Sequence, residues 1–283
     1  MSEQHADAPG ATGSAGRGPD LDAAPMTTGN AARIAAAGLF FHACGLLAAA
    51  LLASYGLAAM IAQAVIAEWG MSRLGVRWTA ERASDAPEPP SPAARAARGF
   101  ALGAGAAALT TAVLLATGTG RFEPGGLVPT TLAAGALSAA ATAVSHELYY
   151  RGLVLRITEK VKYPYLRLLA AGLAGAAATA AMPGATPLEV LVAGLFGALM
   201  AALWLHDRGA VLACAAHAGW LFMTRSVLRG GVFELAGSST LLGGNGAGPF
   251  VGGAAAGVLG ASLVACLVVR AREPIPTTMS DGN

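Results

Sequence analysis

An imidazole, a carboxylate and a guanidinium occur within a run of six residues in otherwise apolar sequence. They belong to His146, Glu147 and Arg151, and residues 130–144 before them carry no charge. On a helix, Glu147 and Arg151 are four residues apart and share one face, where they can pair. Because ionisable side chains are costly to hold in hydrocarbon, such a cluster in membrane-like sequence predicts a functional site.

The composition is that of a membrane protein. Of the 283 residues, 55% are hydrophobic and 12% are charged, and the mean hydropathy is +0.57. Soluble domains carry roughly 25% charged residues. The net charge of +2 is too small to indicate nucleic acid, so no nucleic-acid partner is expected. Three cysteines lie in apolar runs without CxxC spacing, which predicts neither disulfides nor a metal site: Cys44, Cys214 and Cys266.

The chain divides by composition into polar ends and an apolar centre. Residues 1–30 lack an apolar signal-peptide core and cannot bury much surface, which predicts a disordered N-terminal tail. Residues 273–283 are predicted to form a disordered C-terminal tail for the same reason. Between them, 31–272 is predicted as a transmembrane helical domain, with a cytoplasmic linker at 68–98 and a core at 130–228.

Apolar runs long enough to cross a roughly 30 Å hydrocarbon core recur in this domain. The expected fold class is therefore all-α: a polytopic integral membrane helical bundle with about seven transmembrane helices, in a multi-pass protein of the cell membrane. The predicted spans are 35–66, 100–117, 130–157, 166–182, 188–205, 210–228 and 249–269. The first run is either one long tilted helix or a helix followed by a turn near Ser54 to Gly56.

The loops alternate in positive charge, which predicts the orientation in the membrane. Arginines and lysines concentrate in 68–98, in 156–167, at Arg208 and at 270–272, and these segments are predicted to be cytoplasmic. The opposite loops carry only three arginines, Arg121, Arg225 and Arg229.

Two familiar kinds of hydrolytic site do not fit the residues. A zinc protease of the HExxH type needs a second histidine where Tyr150 stands, and no later segment supplies the remaining ligand, so no metal is expected. Ser145 and His146 are adjacent, which directs their side chains about 100° apart on a helix, and the chain contains no GxSxG sequence.

The segment 145–153 resembles the first motif of the CAAX-protease and bacteriocin-processing family of glutamic intramembrane proteases. That motif consists of two glutamates, three residues and an arginine, usually followed by glycine. The segment 203–218 resembles the third-motif region, where a helix ends, a polar turn follows and the next helix presents His217 and Ala218. The likeness covers roughly residues 130–220.

This resemblance implies an intramembrane endopeptidase without a cofactor. Its implied partners are the lipid bilayer and a membrane-tethered or prenylated protein, or a leader peptide, as substrate. The family's first glutamate is taken to activate water, and its histidines and an asparagine polarise the substrate carbonyl. The predicted catalytic residues in this chain are His146, Glu147, Arg151 and His217.

The chain departs from the family pattern at three positions. His146 replaces the first glutamate, Met182 falls near the second-motif histidine, and Leu221 occupies the position of the asparagine. An unperturbed imidazole has a pKa of about 6.5, so His146 can serve as the base. The missing histidine and asparagine remove two groups that stabilise an oxyanion, each worth about 3 kcal/mol. The sequence therefore predicts an endopeptidase-like protein and leaves open whether it is fully active, weakened or inactive.

Simpler interpretations of the same residues stay open. One is a non-catalytic binding or immunity module that uses the cavity of the implied active site. Another is a small transporter, which is disfavoured because no inverted repeat is visible. Glu147 and Arg151 alone could be a packing ion pair, and His217 alone could be a packing histidine. His42 is expected to form a hydrogen bond between helices. Residues 206–208 are expected to form a solvated turn.

Overall fold

The computed structural model describes residues 27–79, 90–126, 128–238, 240–244 and 247–272. Residues 1–26 of the predicted N-terminal tail, the whole predicted C-terminal tail and residues 80–89 of the predicted linker lie outside these residues.

The long first apolar run forms a helical hairpin. Helix α1 covers Thr28–Leu51 and α2 covers Leu57–Arg73, and the two pack against each other. A short 3-10 turn, Ala53–Tyr55, joins them and ends at Gly56, whose φ of +47° favours glycine. The structure thus adopts the second of the two arrangements that the sequence left open.

Helix α3 covers Pro92–Ala116 and begins inside the predicted linker. The Ser91 hydroxyl accepts a hydrogen bond from the Ala94 amide at 3.2 Å, and Pro92 occupies the first turn, where its missing N–H costs nothing. The predicted start at residue 100 followed hydropathy alone and therefore missed the polar first turns of this helix.

The two helices that carry the predicted site residues each widen into a π-helical turn. Helix α4, Pro129–Glu147, continues through the turn Leu148–Gly152 into α5, Leu153–Ile157. Helix α8, Ala210–Phe222, continues into the turn Met223–Val227. Such turns insert one extra residue and occur frequently at functional sites.

Three further helices complete the bundle, and the middle one packs against the other two and against α8. Helix α6 is Pro164–Ala180, α7 is Pro187–Asp207 and α9 is Gly253–Arg272. A capping box begins α7, in which Thr186 and Glu189 bond each other's backbone amides. Helix α3 lies close against α8, since a Cβ at Gly103 would overlap the carbonyl oxygen of Ala216.

A small antiparallel sheet, which the sequence analysis did not predict, joins two loops at one end of the bundle. Strand β1, Gly120–Pro124, pairs with β2, Phe233–Gly237, so that the loop following α3 contacts the loop following α8. Phe122 and Phe233 pack with their ring centroids 5.3 Å apart.

The all-α membrane bundle is confirmed. Four of the described helices are long and apolar enough to cross a membrane: Thr28–Leu51, Pro92–Ala116, Pro187–Asp207 and Ala210–Val227. The segment Gly253–Val269 is a shorter apolar helix. Leu39 and Leu47 of α1 are 66% and 61% exposed, as expected of side chains that face lipid.

The basic loops meet at the end of the bundle opposite the sheet. The Arg156 side chain donates to the backbone oxygen of Leu74 at 3.2 Å, which links α5 to the residue that follows α2. One cleft here is lined by arginines from four segments, Arg77, Arg156, Arg167 and Arg208. Their placement agrees with the charge alternation, while the membrane orientation itself stays a prediction.

The prediction of a solvated turn at 206–208 is wrong for Asp207. Its carboxylate forms a two-nitrogen salt bridge with the buried Arg95 of α3, and one of its oxygens accepts the Leu212 amide at 3.2 Å. Asp207 therefore ties the end of α7 to both α3 and α8, because its charge is balanced within the bundle rather than by water.

Candidate active site

A carboxylate from α4 and an imidazole from α8 meet in the interior of the bundle. The Oε1 atom of Glu147 lies 2.7 Å from Nδ1 of His217. The side chain of Glu147 is fully buried, and that of His217 is 6% exposed. At this distance the Nδ1–H of His217 donates to the carboxylate, which fixes the orientation of the ring.

Arg151 provides a second partner for Glu147. Its Nη1 lies 3.4 Å from the same Oε1 atom, and its guanidinium lies 5.8 Å from the ring centroid of Phe196. Two glycines make room for it: a Cβ at Gly175 or Gly197 would lie 3.6 or 3.4 Å from Arg151 Nη2. The positive charge balances the carboxylate in a place where neither would be stable alone.

Two buried polar atoms of this ion pair remain available. Among the described residues, neither Oε2 of Glu147 nor Nε of Arg151 has a hydrogen-bond partner. Buried polar atoms are nearly always satisfied in folded proteins. These two atoms therefore indicate where a water molecule or a substrate group would be held.

His146 lies beside Glu147 and His217 but forms a hydrogen bond with neither. Its ring centroid is 5.7 Å from that of His217 and 5.5 Å from that of Tyr150. The side chain is half-buried, and within the described segments its ring nitrogens form no hydrogen bond. Adjacent residues on a helix point about 100° apart, so Glu147 bonds His217 and leaves the neighbouring imidazole free.

Aromatic rings enclose the cluster on one side. Phe196 of α7 packs edge-on against His217, with ring centroids 4.8 Å apart, and also contacts Trp220 at 5.7 Å. Phe196 also lines a mainly apolar cavity of about 310 Å³ between α3, α7, α8 and α9, together with Ala216 and Trp220. The cluster thus adjoins a space suited to an apolar ligand.

The first helix contributes a histidine to which the sequence analysis gave no role in the site. His42 Nε2 lies 3.3 Å from the Tyr150 hydroxyl, and its ring packs against Tyr149 with centroids 4.6 Å apart. It forms the contact between helices that was expected of it. A histidine inside an apolar helix is itself a signal of function, but its partner lies 108 residues away and cannot be read from the sequence.

Two positions that the resemblance singles out carry no polar group to the cluster. Met182 follows the end of α6 and is 60% exposed, and Leu221, one turn after His217, is buried and apolar. The structure thus brings together His146, Glu147, Arg151 and His217 and adds His42 and Tyr150. In the described part of the chain, no group of three or more His, Cys, Asp or Glu side chains is arranged to hold a metal ion.

Comparison with known proteins agrees with the resemblance. Residues 128–223 match the family described as type II CAAX prenyl endopeptidase Rce1-like. This segment is about a third of the chain and contains all four predicted site residues but not His42. No curated protein and no solved structure matches the chain. The resemblance to CAAX-processing endopeptidases is therefore confirmed for the central segment.

Proposed function

We propose that this protein is an intramembrane endopeptidase of the CAAX-processing type in the cell membrane, and that an imidazole rather than a glutamate activates water. The observation that carries the proposal is the 2.7 Å contact between Glu147 and His217, with a second imidazole, His146, beside it. Glu147 holds the His217 ring in one orientation beside His146, and the ring nitrogens of His146 are the proposed acceptor of a proton from water.

The roles follow from burial and pairing. Glu147 is fully buried and uses Oε1 for both His217 and Arg151, so its role is to orient His217. His146 is half-buried with free ring nitrogens, so it is the residue best placed to take a proton from water. Arg151 holds the carboxylate in place and balances its charge.

The proposed reaction is hydrolysis of a peptide bond. His146 accepts a proton from water while the water oxygen bonds to the scissile carbonyl carbon, and the carbonyl electron pair moves onto its oxygen. Collapse of this tetrahedral intermediate breaks the C–N bond. The imidazolium then returns its proton to the departing amine, so that the products are an acid and an amine.

The proposed substrate is the C-terminal region of a membrane-tethered or prenylated protein, or a leader peptide. The support is the mainly apolar cavity that Phe196 lines, because the Phe196 ring also packs against His217, with ring centroids 4.8 Å apart. An apolar anchor or side chain in this cavity would be shielded from water and would bring the adjoining peptide to the imidazoles.

The test is cleavage by the purified protein in lipid nanodiscs. Prenylated C-terminal peptides and leader peptides are incubated with the wild type, with His146→Ala and with Glu147→Ala, and products are identified by mass spectrometry. We expect cleavage by the wild type only. The exposed pair Arg121 and Glu123, with Arg121 Nη2 and Glu123 Oε1 2.8 Å apart, supplies a matched control, since Glu123→Ala should cleave normally. Continued cleavage when both His146 and Glu147 are alanine would refute the mechanism.

A specific observation also favours a second function, a non-catalytic membrane module that binds a hydrophobic peptide. Leu221 and the exposed Met182 leave the cluster without two groups that a protease of this type would use. This alternative predicts that the wild type captures peptides without cleaving them and that Phe196→Ala weakens the capture.

A further inference from the structure

His42 reaches the cluster because α1 packs closely against the first π-helical turn. Gly38 and Gly45 lie on either side of it along α1. A Cβ at Gly38 would overlap Leu153, and one at Gly45 would lie 3.3 Å from the Tyr149 hydroxyl. The close contact therefore depends on small residues, as is common between membrane helices.

The two neighbouring tyrosines use their hydroxyls differently. The Tyr149 hydroxyl donates to the backbone oxygen of Phe41 at 2.9 Å, so its proton is committed to holding α1. The Tyr150 hydroxyl forms a hydrogen bond with His42 Nε2 alone among the described residues, at 3.3 Å, and either atom can be the donor.

The other ring nitrogen of His42 decides which atom donates. Its Nδ1 is buried and has no partner among the described residues. A buried N–H without an acceptor is costly and rare, whereas an unused lone pair is tolerated more often. The proton of a neutral His42 therefore lies on Nε2, and Nε2–H donates to the Tyr150 oxygen.

This arrangement leaves the hydroxyl proton of Tyr150 unused. A tyrosine hydroxyl can accept one hydrogen bond and donate another. Its ring lies edge-on to His146 with centroids 5.5 Å apart, so the phenol borders the imidazole assigned to water activation. No polar side chain occupies the position of Leu221, where the resemblance implies a donor to the oxyanion.

On the basis of the proposed function, we infer that Tyr150, positioned by His42, donates its hydroxyl hydrogen bond to the oxyanion formed during peptide hydrolysis. Tyr150 is then a catalytic residue, and His42 is a positioning residue that acts through it. One of the two lies outside the segment that matches the endopeptidase family, which makes the first helix part of the site.

The test compares matched variants in nanodiscs. Loss of an oxyanion donor lowers kcat by about 100-fold or more, so Tyr150→Phe should lower kcat to that extent with KM nearly unchanged. Tyr165→Phe loses a hydroxyl from an exposed tyrosine of α6 and should keep the wild-type kcat. His42→Leu should lower kcat, whereas His42→Gln, whose amide N–H can replace Nε2–H, should retain most of it.

A second measurement does not depend on activity. Nitrogen-15 NMR of histidine-labelled protein, with His42 assigned by its loss in His42→Gln, reports which ring nitrogen carries the proton. A proton on Nδ1, or a Tyr150→Phe variant with full kcat, would overturn the inference. If the wild type cleaves no peptide, the proposed function fails, and the catalytic role of Tyr150 fails with it. The NMR result then decides separately whether His42 leaves the Tyr150 proton free.

Discussion

The carboxylate of Glu147 accepts a hydrogen bond from His217, 70 residues away, at 2.7 Å, and forms no hydrogen bond with its chain neighbour His146. One imidazole, His217, therefore has a fixed orientation, and the other, His146, is the one proposed to accept a proton from water. Each of the following predictions tests a part of this arrangement.

Arg151 should be required for stability more than for chemistry. Arg151→Met strands the fully buried Glu147 carboxylate, and breaking such a pair costs about 3–5 kcal/mol. We expect the free energy of unfolding in mixed detergent micelles to fall by that amount.

The matched control for Arg151 is the double variant with Glu147→Gln. Removing the charge from position 147 should recover most of the lost stability, because no unpaired carboxylate remains. If the double variant is as unstable as Arg151→Met alone, Arg151 stabilises the bundle through packing against Phe196 and not through Glu147.

His146 should be required for cleavage and not for folding. His146→Ala should lower kcat at least about 100-fold, within the range for loss of a general base, with little change in the free energy of unfolding. Ser145→Ala is the matched control at the adjacent residue. The buried Ser145 hydroxyl donates only to the Thr142 backbone oxygen, at 3.0 Å, so the variant should keep the wild-type kcat. Equal loss of kcat in both variants would assign the effect to the helix and not to the imidazole.

Restoring the family's residues at positions 221 and 182 should have unequal effects on kcat. Leu221→Asn places an amide one turn from His217 and should raise kcat, although burying the amide lowers stability by about 1–3 kcal/mol. Met182→His should have no effect on kcat, because position 182 is 60% exposed beyond the end of α6. A gain of activity from Met182→His would mean that α6 extends and rotates toward the site when substrate binds.

The orientation of the bundle can be tested by cysteine labelling. With Cys44, Cys214 and Cys266 replaced by alanine, Glu123→Cys should react with a membrane-impermeant maleimide in intact cells. Lys160→Cys, at the end rich in arginine, should react only after the cells are permeabilised. Labelling of Lys160→Cys in intact cells would reverse the orientation.

Hydropathy predicted most helices of this fold well, because length and apolarity decide where a chain can cross a bilayer. The predicted span at 130–157 agrees closely with the continuous helix from Pro129 to Ile157. Helix starts were less predictable, since α3 begins at Pro92, where a serine cap and not hydropathy sets the boundary. The pairing of β1 with β2 joins loops more than 100 residues apart and has no local signal.

The residue types of the candidate site were evident from the sequence, but their pairing was not. His146, Glu147, Arg151 and His217 were conspicuous as ionisable residues in apolar sequence. Which imidazole Glu147 bonds depends on how α4 packs against α8. The burial of Asp207 against Arg95 likewise depends on the approach of α3 to the end of α7.

The π-helical turn at Leu148–Gly152 makes the number of residues in this segment as important as their identity. Removing Leu148 would close the widened turn into ordinary α-helix and rotate the side chains that follow it within the turn by about 100°. Tyr150 would then leave His42, although both side chains were still present. Deletion of this single codon is therefore expected to be more damaging than most substitutions.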